Sequence, residues 1–370
     1  KQGALAYQSL FKNEVTMKKI LFTLNHIEPQ NGVCSVLKTL SGALAKLGFD
    51  VTVMPLFRYD EKYAATFDSR VKIKKCYGKY FRGLGKIVRI LPQKSVYKKF
   101  VRENYDIEVA FQCGCPTSML AASTDKSAKK IAWMHGYEEM DLKQHRAFDK
   151  IVACARSTAE KYKKVFSQPE KVMYLYNLID ESDVIVKSRE QVSLQKKYPI
   201  TMVSAGRLSF EKGFDRLISA HARLMNEGLK HNLWIVGDGA EREKLEKLIK
   251  EKGVEGSVTL TGFDPNPYKY MASADAFVCS SRSEGMSTVC VEALLVGTPI
   301  ITTLVNGAQE LCETGAGILT ENDENSLYEG MKDALSHPEK LAACRENIGR
   351  MTNLRYADRL KAVVDFFENV

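Results

Sequence analysis

An alternation of short apolar segments with segments of helical spacing occurs twice along the 370 residues and constrains the fold more than any other feature. This alternation is typical of parallel sheets that carry helices on both faces. The sequence therefore predicts an α/β protein with two doubly wound parallel sheets, whose ligands are expected at the carboxyl ends of the strands. The predicted strands are Lys19–Asn25, Asp50–Pro55, Ile107–Gln112, Lys130–Met134, Lys150–Cys154, Val172–Tyr176, Ile200–Ala205, Leu233–Val236, Ser257–Leu260, Ala276–Ser280 and Pro299–Thr303.

A polar stretch, Asp180–Tyr198, interrupts the alternation and is predicted to be the linker between two domains. We therefore expect a first domain over residues 17–185 and a second domain over residues 199–353. Residues 354–370 have the apolar spacing of one more amphipathic helix, and the pattern does not show which domain that helix contacts.

The composition favours an enzyme of the cytoplasm. Met17 directly precedes the first predicted strand, so residues 1–16 are expected to be a leader or an expression-derived segment, and they lack the features of a signal peptide. No apolar run reaches the roughly 18 residues that span a bilayer. The nine cysteines are scattered, which indicates reduced thiols rather than a disulfide framework. Cys113 and Cys115 are the one close pair, and without a second pair at metal spacing no metal site is expected.

Positive charge is concentrated in one block, Arg70–Asn104, which holds twelve Lys or Arg residues and one acid in a chain of net charge +9. Within it, Leu84, Ile87, Val88 and Leu91 fall at helical spacing. A basic amphipathic helix of this kind can lie peripherally on an anionic membrane, here on its inner face. The alternatives are an ordinary surface helix with solvated lysines and a weak nucleic-acid patch. No groove-reading motif supports the last, so nucleic acid is not an expected partner.

Residues 281–301 combine a predicted helix start with two carboxylates. The backbone N–H groups of Gly285–Thr288 are expected at the helix N-terminus, where anions bind readily. Glu284 lies in the preceding loop, and Glu292 lies about two turns further on. Because carboxylates repel a bare phosphate, the pattern favours a ligand in which hydroxyl groups stand beside a phosphate. A nucleotide-sugar has both groups.

Two basic residues follow a predicted strand in the segment Gly206–Asp215. Arg207 and Lys212 are expected in the strand-to-helix loop at the carboxyl edge of the second sheet. Arginine offers several planar donors to phosphate oxygens and lysine adds a mobile point charge, so together they could neutralise a diphosphate leaving group. A surface ion pair of Glu211 with Lys212 explains the spacing equally well, and the residues alone leave both interpretations open.

Weaker signals lie at other strand ends. His135 ends a strand of the first half and is followed by glycine, which favours contact with a substrate over a structural role. Gly262 and Phe263 follow a strand of the second half and could position a nucleobase. Gly32 follows the first strand. A single glycine in a loop says little, but its place after that strand favours contact with a ligand.

Together these segments resemble the retaining glycosyltransferases of family 4, which have two Rossmann-like domains facing a central cleft, the fold called GT-B. The resemblance covers residues 17–370 and is strongest over residues 203–319. Its signature is a pair of glutamates with seven residues between them, present here as Glu284 and Glu292. The segments GRLSFEKGFD, GDG, TGF and EALLVGTPII occur in the order found in the family.

The resemblance implies roles for individual residues. Arg207 and Lys212 would hold the donor diphosphate, and Glu292 would accept hydrogen bonds from the ribose hydroxyls. Glu284 would lie against the donor sugar, and His135 would stabilise the reacting centre. The family's reacting centre is thus matched by His135, Glu284, Arg207 and Lys212, and its other donor contacts are matched by Gly32, Gly262, Phe263, Gly285, Met286, Ser287 and Thr288.

The resemblance also implies the reaction. The family transfers a sugar with retention from a nucleoside-diphosphate sugar, here expected to be a UDP-sugar, without a metal or another cofactor. The acceptor would be a glycan or a lipid-linked molecule bound by the first domain, as in the assembly of bacterial surface polysaccharide or glycolipid. No nucleophile or base is assigned, and the helix of residues 354–370 would return to the first domain. The family's first loop usually carries two adjacent glycines, whereas Gly32 is single here.

Two other functions are compatible with the same fold. A nucleotide-sugar 2-epimerase would need further acid and base residues at the site, and it would form product without an acceptor. A non-catalytic partner subunit that binds nucleotide-sugar would be expected to have lost site residues, whereas Arg207, Lys212, Glu284 and Glu292 are all present. A glycosyltransferase is therefore the predicted function.

Overall fold

The computed structural model describes residues 17–29, 31–78, 80–136, 142–351 and 354–370. The predicted leader segment, residues 1–16, lies outside the described residues. The described residues form two compact units. The first unit comprises the described residues up to Trp133, those within Met140–Ile151, and Ala362–Val370, and the second comprises those within Met134–Glu139 and Val152–Lys361.

Two sheets contain all the named strands of the described residues. Those of the first sheet are β1 (Lys19–Leu24), β2 (Asp50–Pro55), β3 (Lys72–Ile73), β4 (Ile107–Ala110), β5 (Lys129–Met134), β6 (Lys150–Ala153) and β7 (Val172–Tyr174). Those of the second are β8 (Thr201–Ala205), β9 (Asn232–Val236), β10 (Val258–Gly262), β11 (Ala276–Cys279), β12 (Ile300–Thr303) and β13 (Gly317–Thr320). The strand orders are β3-β2-β1-β4-β5-β6-β7 and β10-β9-β8-β11-β12-β13. Every neighbouring pair of the second sheet is parallel, as are β1–β2, β2–β3, β1–β4 and β4–β5 of the first.

Helices connect the strands throughout. Through β7 they are α1 (Gly32–Lys46), α2 (Glu61–Ala64), α3 (Leu84–Ile90), α4 (Gln93–Phe100), α5 (Cys115–Ala121), α6 (Leu142–His145) and α7 (Arg156–Val165). After β7 they are α8 (Glu181–Ser188), α9 (Phe214–Asn226), α10 (Arg242–Glu251), α11 (Tyr268–Ala272), α12 (Thr288–Leu295), α13 (Ala308–Cys312), α14 (Glu324–Ser336), α15 (Pro338–Ile348) and α16 (Tyr356–Asn369). The central strands are buried on both faces, which explains their continuous apolar sequences.

The strand predictions are confirmed, with ends that differ by no more than two residues. The pattern missed β3 and β13, which lie at the edges of the two sheets. β3 has two residues and lies within the basic block, so lysines hide its apolar pattern. β13 begins with glycine and is only partly buried. Edge strands of this kind are short and polar, which removes the signal that identifies a central strand.

One helix lies within the predicted linker, and another is capped by a residue distant in sequence. The predicted linker contains the helix α8, whose N-cap Asp180 accepts a hydrogen bond from the Asp183 backbone N–H at 3.1 Å. Ser157 and Glu160 have the spacing of a capping box, but α7 begins at Arg156. The carboxylate of Glu310, from α13, accepts from the backbone N–H groups of Arg156 and Ser157 at 3.0 and 2.7 Å. A buried carboxylate 153 positions away in sequence therefore replaces the local cap.

The end of α16 packs in the core of the first unit. Phe367 is fully buried, stacks on Trp133 with ring centroids 6.3 Å apart, and meets Phe22 edge-on at 5.9 Å. Lys18 Nζ donates to the Phe367 and Glu368 carbonyl oxygens at 3.1 and 2.8 Å. These contacts fix the last turn of the helix to the beginning of β1.

Neither a disulfide nor a candidate metal cluster occurs in the described part of the chain. The nine cysteines all lie within it, and no two of them are joined. No three His, Cys, Asp or Glu side chains of the described residues are grouped so that they could hold a metal ion. Across the same residues, each helix is too short or too polar to cross a membrane.

Candidate active site

Two loops come together where the strand order of the second sheet reverses. The chain runs outward through β8, β9 and β10 on one side and through β11, β12 and β13 on the other, so β8 and β11 are neighbours. Open α/β sheets bind ligands at the carboxyl ends of the strands beside such a reversal. The loop after β8 contains Arg207 and Lys212, and the loop after β11 contains Glu284 and leads into Gly285–Thr288.

Lys212 and Glu284 form an ion pair between these two loops. Lys212 Nζ lies 2.6 Å from Glu284 Oε1, and Ser281 Oγ donates to the same oxygen at 2.7 Å. The exposed fractions of the two side chains are 25% and 12%. Burial by itself lowers the pKa of Lys212, but the charge and hydrogen bond of Glu284 outweigh it, so the pKa is raised and the lysine stays protonated. The lysine thus pairs across the two loops rather than with its neighbour Glu211.

The backbone of Gly285 packs directly on the residues that follow β5. A Cβ atom at this position would lie 1.3 Å from the His135 carbonyl oxygen and 2.9 Å from Gly136 Cα, so only glycine fits. Tyr162 Oη donates to the Gly136 carbonyl oxygen at 2.5 Å and holds that backbone in place. The structure therefore brings His135 together with the Glu284 loop.

The His135 imidazole is neutral in this environment. Burial lowers the pKa of His135 to about 3, which leaves the ring uncharged at neutral pH. An imidazole held neutral can stabilise developing negative charge through its N–H group, although it carries no positive charge of its own.

Glu292 lies on α12, the helix that begins at the Gly285–Thr288 segment. Ser287 is the N-cap residue and Thr288 the first helical residue, which confirms the predicted helix start. Met286 and Ser287 are buried, whereas Glu292 keeps partial access to solvent. Burial raises the pKa of Glu292 to about 8. In most molecules this carboxyl group therefore holds a proton at neutral pH. Strongly shifted carboxyl groups are concentrated at functional sites, although buried structural acids also show such shifts.

The remaining predicted residues make no contact with the Lys212–Glu284 pair that the structure records. Arg207 is exposed, one residue beyond the glycine that follows β8. Gly262 ends β10 and accepts a hydrogen bond from the Gly237 N–H at 2.9 Å, and Phe263 after it is 52% exposed. Gly32 is the first residue of α1 in the first unit, and no atom would approach within 4 Å of a Cβ atom there.

Known glycosyltransferases match nearly the whole chain. Residues 30–183 match the family model described as Glycosyltransferase Family 4, and residues 186–351 match the one described as Glycosyl transferases group 1. The lipopolysaccharide core biosynthesis glycosyltransferase LpsE of Rhizobium meliloti is 30% identical over 295 residues, which are 80% of each chain. This chain belongs to the group 1, or family 4, glycosyltransferases.

Two further comparisons extend this finding. An N-acetylgalactosaminyltransferase of Campylobacter jejuni, named for its acceptor N-acetylgalactosamine-N,N'-diacetylbacillosaminyl-diphospho-undecaprenol, is 37% identical over 221 residues. The match spans 59% of this chain and 58% of that relative. The crystal structure of Anabaena HepE in complex with UDP and glucose has a TM-score of 0.72 at 18% identity and covers 95% of this chain and all of that one. The predicted GT-B fold class is confirmed by this likeness.

Two arginines that the sequence reasoning missed hold the site loops of this glycosyltransferase together. Arg282 makes a bidentate pair with Asp215 at 2.8 and 2.7 Å. Arg216 is buried and donates to the Ser280 carbonyl oxygen at 2.7 Å. Asp215 and Arg216 lie in the first turn of α9, whereas Ser280 and Arg282 follow β11, and no sequence spacing indicates pairings between these two segments.

Proposed function

We propose that this glycosyltransferase moves a sugar, with retention, from a UDP-sugar to a glycan or lipid-linked acceptor during assembly of bacterial surface polysaccharide or lipopolysaccharide. The observation that carries the proposal is the convergence of the partly buried Lys212–Glu284 pair with the helix that bears Glu292. The UDP and glucose bound to HepE support a UDP-linked donor. The names of the Campylobacter and Rhizobium relatives support an acceptor of this class.

The ion pair indicates how the donor would be received. A diphosphate entering the site would compete with Glu284 for Lys212, because phosphate oxygens carry more negative charge and the first amides of α12 also attract them. Glu284 would then be available to accept hydrogen bonds from sugar hydroxyls, while Glu292 accepts them from the ribose. Arg207 and Lys212 would neutralise the leaving diphosphate as its charge develops, so the reaction would need no metal. A phosphate oxygen of the leaving group would take the proton of the acceptor hydroxyl.

Thermal unfolding with nucleotides tests the donor part of this proposal. We expect UDP and one UDP-sugar to stabilise the chain, by about 2.7 kcal/mol at one hundred times the dissociation constant. The variant Glu292→Ala should lose this shift because the ribose contact is gone. Arg207→Ala should keep most of the shift and slow transfer about 100-fold, because its charge acts chiefly on the leaving group. Lys247→Ala, an exposed residue of α10, is the control. If UDP raises the unfolding temperature equally in the wild type and in Glu292→Ala, the assignment of this site is wrong.

The surface of the basic block supports a membrane-bound acceptor. Leu84 and Val88 of the predicted apolar stripe are buried, but Ile87 and Leu91 are 45% and 41% exposed, and Ile90 is 83% exposed. Residues 80–102 contain seven Lys or Arg and no acid. A helix that simply packs on the core would bury its apolar side chains, whereas apolar groups exposed among cations suit the interface of an anionic membrane. We call the surface formed by these side chains the basic apolar surface; its residues are Phe81, Lys86, Ile87, Arg89, Ile90 and Leu91.

Vesicle co-sedimentation tests this surface. We expect the chain to sediment with vesicles that contain phosphatidylglycerol and not with vesicles of phosphatidylcholine alone. Replacing Ile87 and Ile90 together with serine should lower the bound fraction about five-fold, since the exposed apolar area supplies part of the binding. Val186→Ser, which removes an exposed apolar side chain from α8, should leave binding unchanged. Equal binding to both kinds of vesicle would contradict the proposal.

A further inference from the structure

Lys212 lies at the end of a single 3₁₀ turn, Phe210–Lys212, which is bonded to the segment Ser280–Arg282 after β11. Each of the three carbonyl oxygens of the turn accepts one hydrogen bond from that segment. The bonds run from Arg282 Nη1 to Phe210 (2.8 Å), from the Arg282 backbone N–H to Glu211 (2.7 Å) and from Ser280 Oγ to Lys212 (2.9 Å). Arg282 therefore supplies two of these three donors.

The segment Ser280–Arg282 is itself fixed by side chains of other elements. Each of its own three carbonyl oxygens accepts one hydrogen bond from such a side chain. The bonds run from Arg216 Nε to Ser280 (2.7 Å), from Thr303 Oγ1 to Ser281 (2.7 Å) and from Asn322 Nδ2 to Arg282 (2.9 Å). Because Arg216 and Thr303 are buried, these bonds are shielded from water, and the segment can support the turn without moving itself.

The Arg282 side chain is held on three sides. Its guanidinium makes the bidentate pair with Asp215 in the first turn of α9, and Nη1 also donates to the Phe210 carbonyl oxygen. The Phe210 ring lies over the guanidinium at 4.2 Å, although this ring is 64% exposed. A planar group with several donors in fixed directions can satisfy a carboxylate, a carbonyl and a ring together, which a lysine ammonium cannot do in the same geometry.

Lys212 and Glu284 thus have one common support. Glu284 follows Arg282 by two residues, whereas Lys212 is tied to Arg282 and Ser280 through the turn. The 2.6 Å ion pair joins these two groups. The attraction between charges depends on their distance, and a shift of about 1 Å in the position of a site group can lower a rate about 100-fold. The support of the turn therefore bears directly on the reaction.

We infer that Arg282 is a positioning residue that sets where the Lys212 ammonium lies, and through it how strongly the diphosphate is held, an inference that rests on the proposed transferase function. Arg282 acts here without touching the donor, since its guanidinium is committed to Asp215 and Phe210. Without this side chain the turn loses the bond to the Phe210 carbonyl oxygen and the link to α9. Lys212 would then leave Glu284 more often.

Labelling of lysines with acetic anhydride, followed by peptide mass spectrometry, tests the inference on the full chain without a ligand. Only the unprotonated amine reacts, so Lys212 should react slowly in the wild type, where its ion pair raises its pKa and its side chain is 25% exposed. We expect Lys212 to be labelled at least about five-fold faster in Arg282→Ala, because the ion pair is then broken for more of the time.

Arg223→Ala is the matched control for this labelling. Arg223 lies over the Tyr328 ring at 3.7 Å and donates to Asn325 at 3.2 Å, much as Arg282 lies against Phe210 and Asp215. Both of these partners lie on α14, away from the turn. The control therefore removes a stacked arginine from the same unit and should leave the labelling rate of Lys212 unchanged.

The affinity for UDP connects the position of Lys212 to the donor site. Arg282→Ala is expected to weaken the binding of UDP about 10-fold. In a chain that already carries Lys212→Ala, the same change should weaken it no further, because Arg282 acts through that lysine. An arginine with a purely structural role would not give this dependence on Lys212. Isothermal titration of the four proteins with UDP measures the effect.

Two results would overturn the inference. One is a labelling rate of Lys212 that is the same in the wild type and in Arg282→Ala, and the other is a loss of UDP affinity that is equally large with and without Lys212. If Arg282→Ala fails to fold, Asp215→Asn decides, since Asp215 is 47% exposed and asparagine keeps its volume while removing the charge that holds the guanidinium. That variant should also speed the labelling of Lys212. If UDP does not bind the wild type, the proposed function fails, whereas the labelling result still tests the placement of Lys212.

Discussion

Replacing Gly285 with alanine is expected to lower the transfer rate at least about 100-fold and to destabilise the second unit by about 3 kcal/mol or more. The added methyl group would overlap the His135 carbonyl oxygen at 1.3 Å. That carbonyl cannot retreat easily, because Gly136 is tied to the buried Tyr162 hydroxyl at 2.5 Å. The loop would therefore have to move, and Glu284 would move with it.

Urea unfolding and a transfer assay measure the two effects of Gly285→Ala. The matched control is Gly349→Ala at the end of α15, where φ is −60° and the nearest atom to an added Cβ lies at 3.7 Å. This control should change stability by no more than about 0.5 kcal/mol and leave transfer unchanged. A Gly285→Ala protein with the unfolding midpoint and rate of the wild type would show that the packing of this loop is unimportant.

Replacing Glu292 with glutamine is expected to stabilise the folded chain at alkaline pH. The same change is expected to weaken the binding of UDP at least about 10-fold. The pKa of Glu292 is about 8 in the folded chain against the ordinary 4.5. The folded state therefore holds a proton that the unfolded state releases, so the contribution of Glu292 to stability is complete below pH 4.5 and is lost as pH rises from there through about 8. Glutamine is neutral at every pH and should remove this loss. The full pKa shift sets an upper limit of roughly 5 kcal/mol on the free energy of unfolding that the variant can gain. Because Glu292 is partly accessible to solvent, the expected gain at pH 9 is about 2 kcal/mol.

Unfolding curves from pH 5 to pH 9, with and without UDP, measure both consequences of Glu292→Gln. Without UDP, the two proteins should have similar stability at pH 5 and should diverge above pH 7. With UDP, wild-type affinity should rise with pH, because ribose hydroxyls donate to the ionised carboxylate, whereas the affinity of the variant should be flat. Parallel stability profiles for the two proteins would show that Glu292 is ionised in the folded chain without ligand.

Much of the site could be predicted because its residues lie in two contiguous segments. Glu284 and the start of α12 form one such segment, and Arg207 with Lys212 forms the other, each directly after a buried strand. Buried strands and helix starts are local patterns, so they are visible in a few consecutive residues. The partners of these residues were not predictable, since Lys212 pairs with a carboxylate 72 positions away. The cap of α7 was not predictable for the same reason, because Glu310 is distant in sequence.

The sequence by itself determined the two parallel sheets, the order of their elements and the segments that hold the candidate site residues. These features follow from the spacing of hydrophobic residues and from the residues that end helices. Both patterns involve residues only a few positions apart. The tertiary structure decided that Lys212 meets Glu284 and that Gly285 lies on the His135 backbone. Each of these contacts joins loops that follow different strands. Which loops meet depends on the order of strands in the sheet, and that order is set by the packing of the whole unit rather than by any local run of residues.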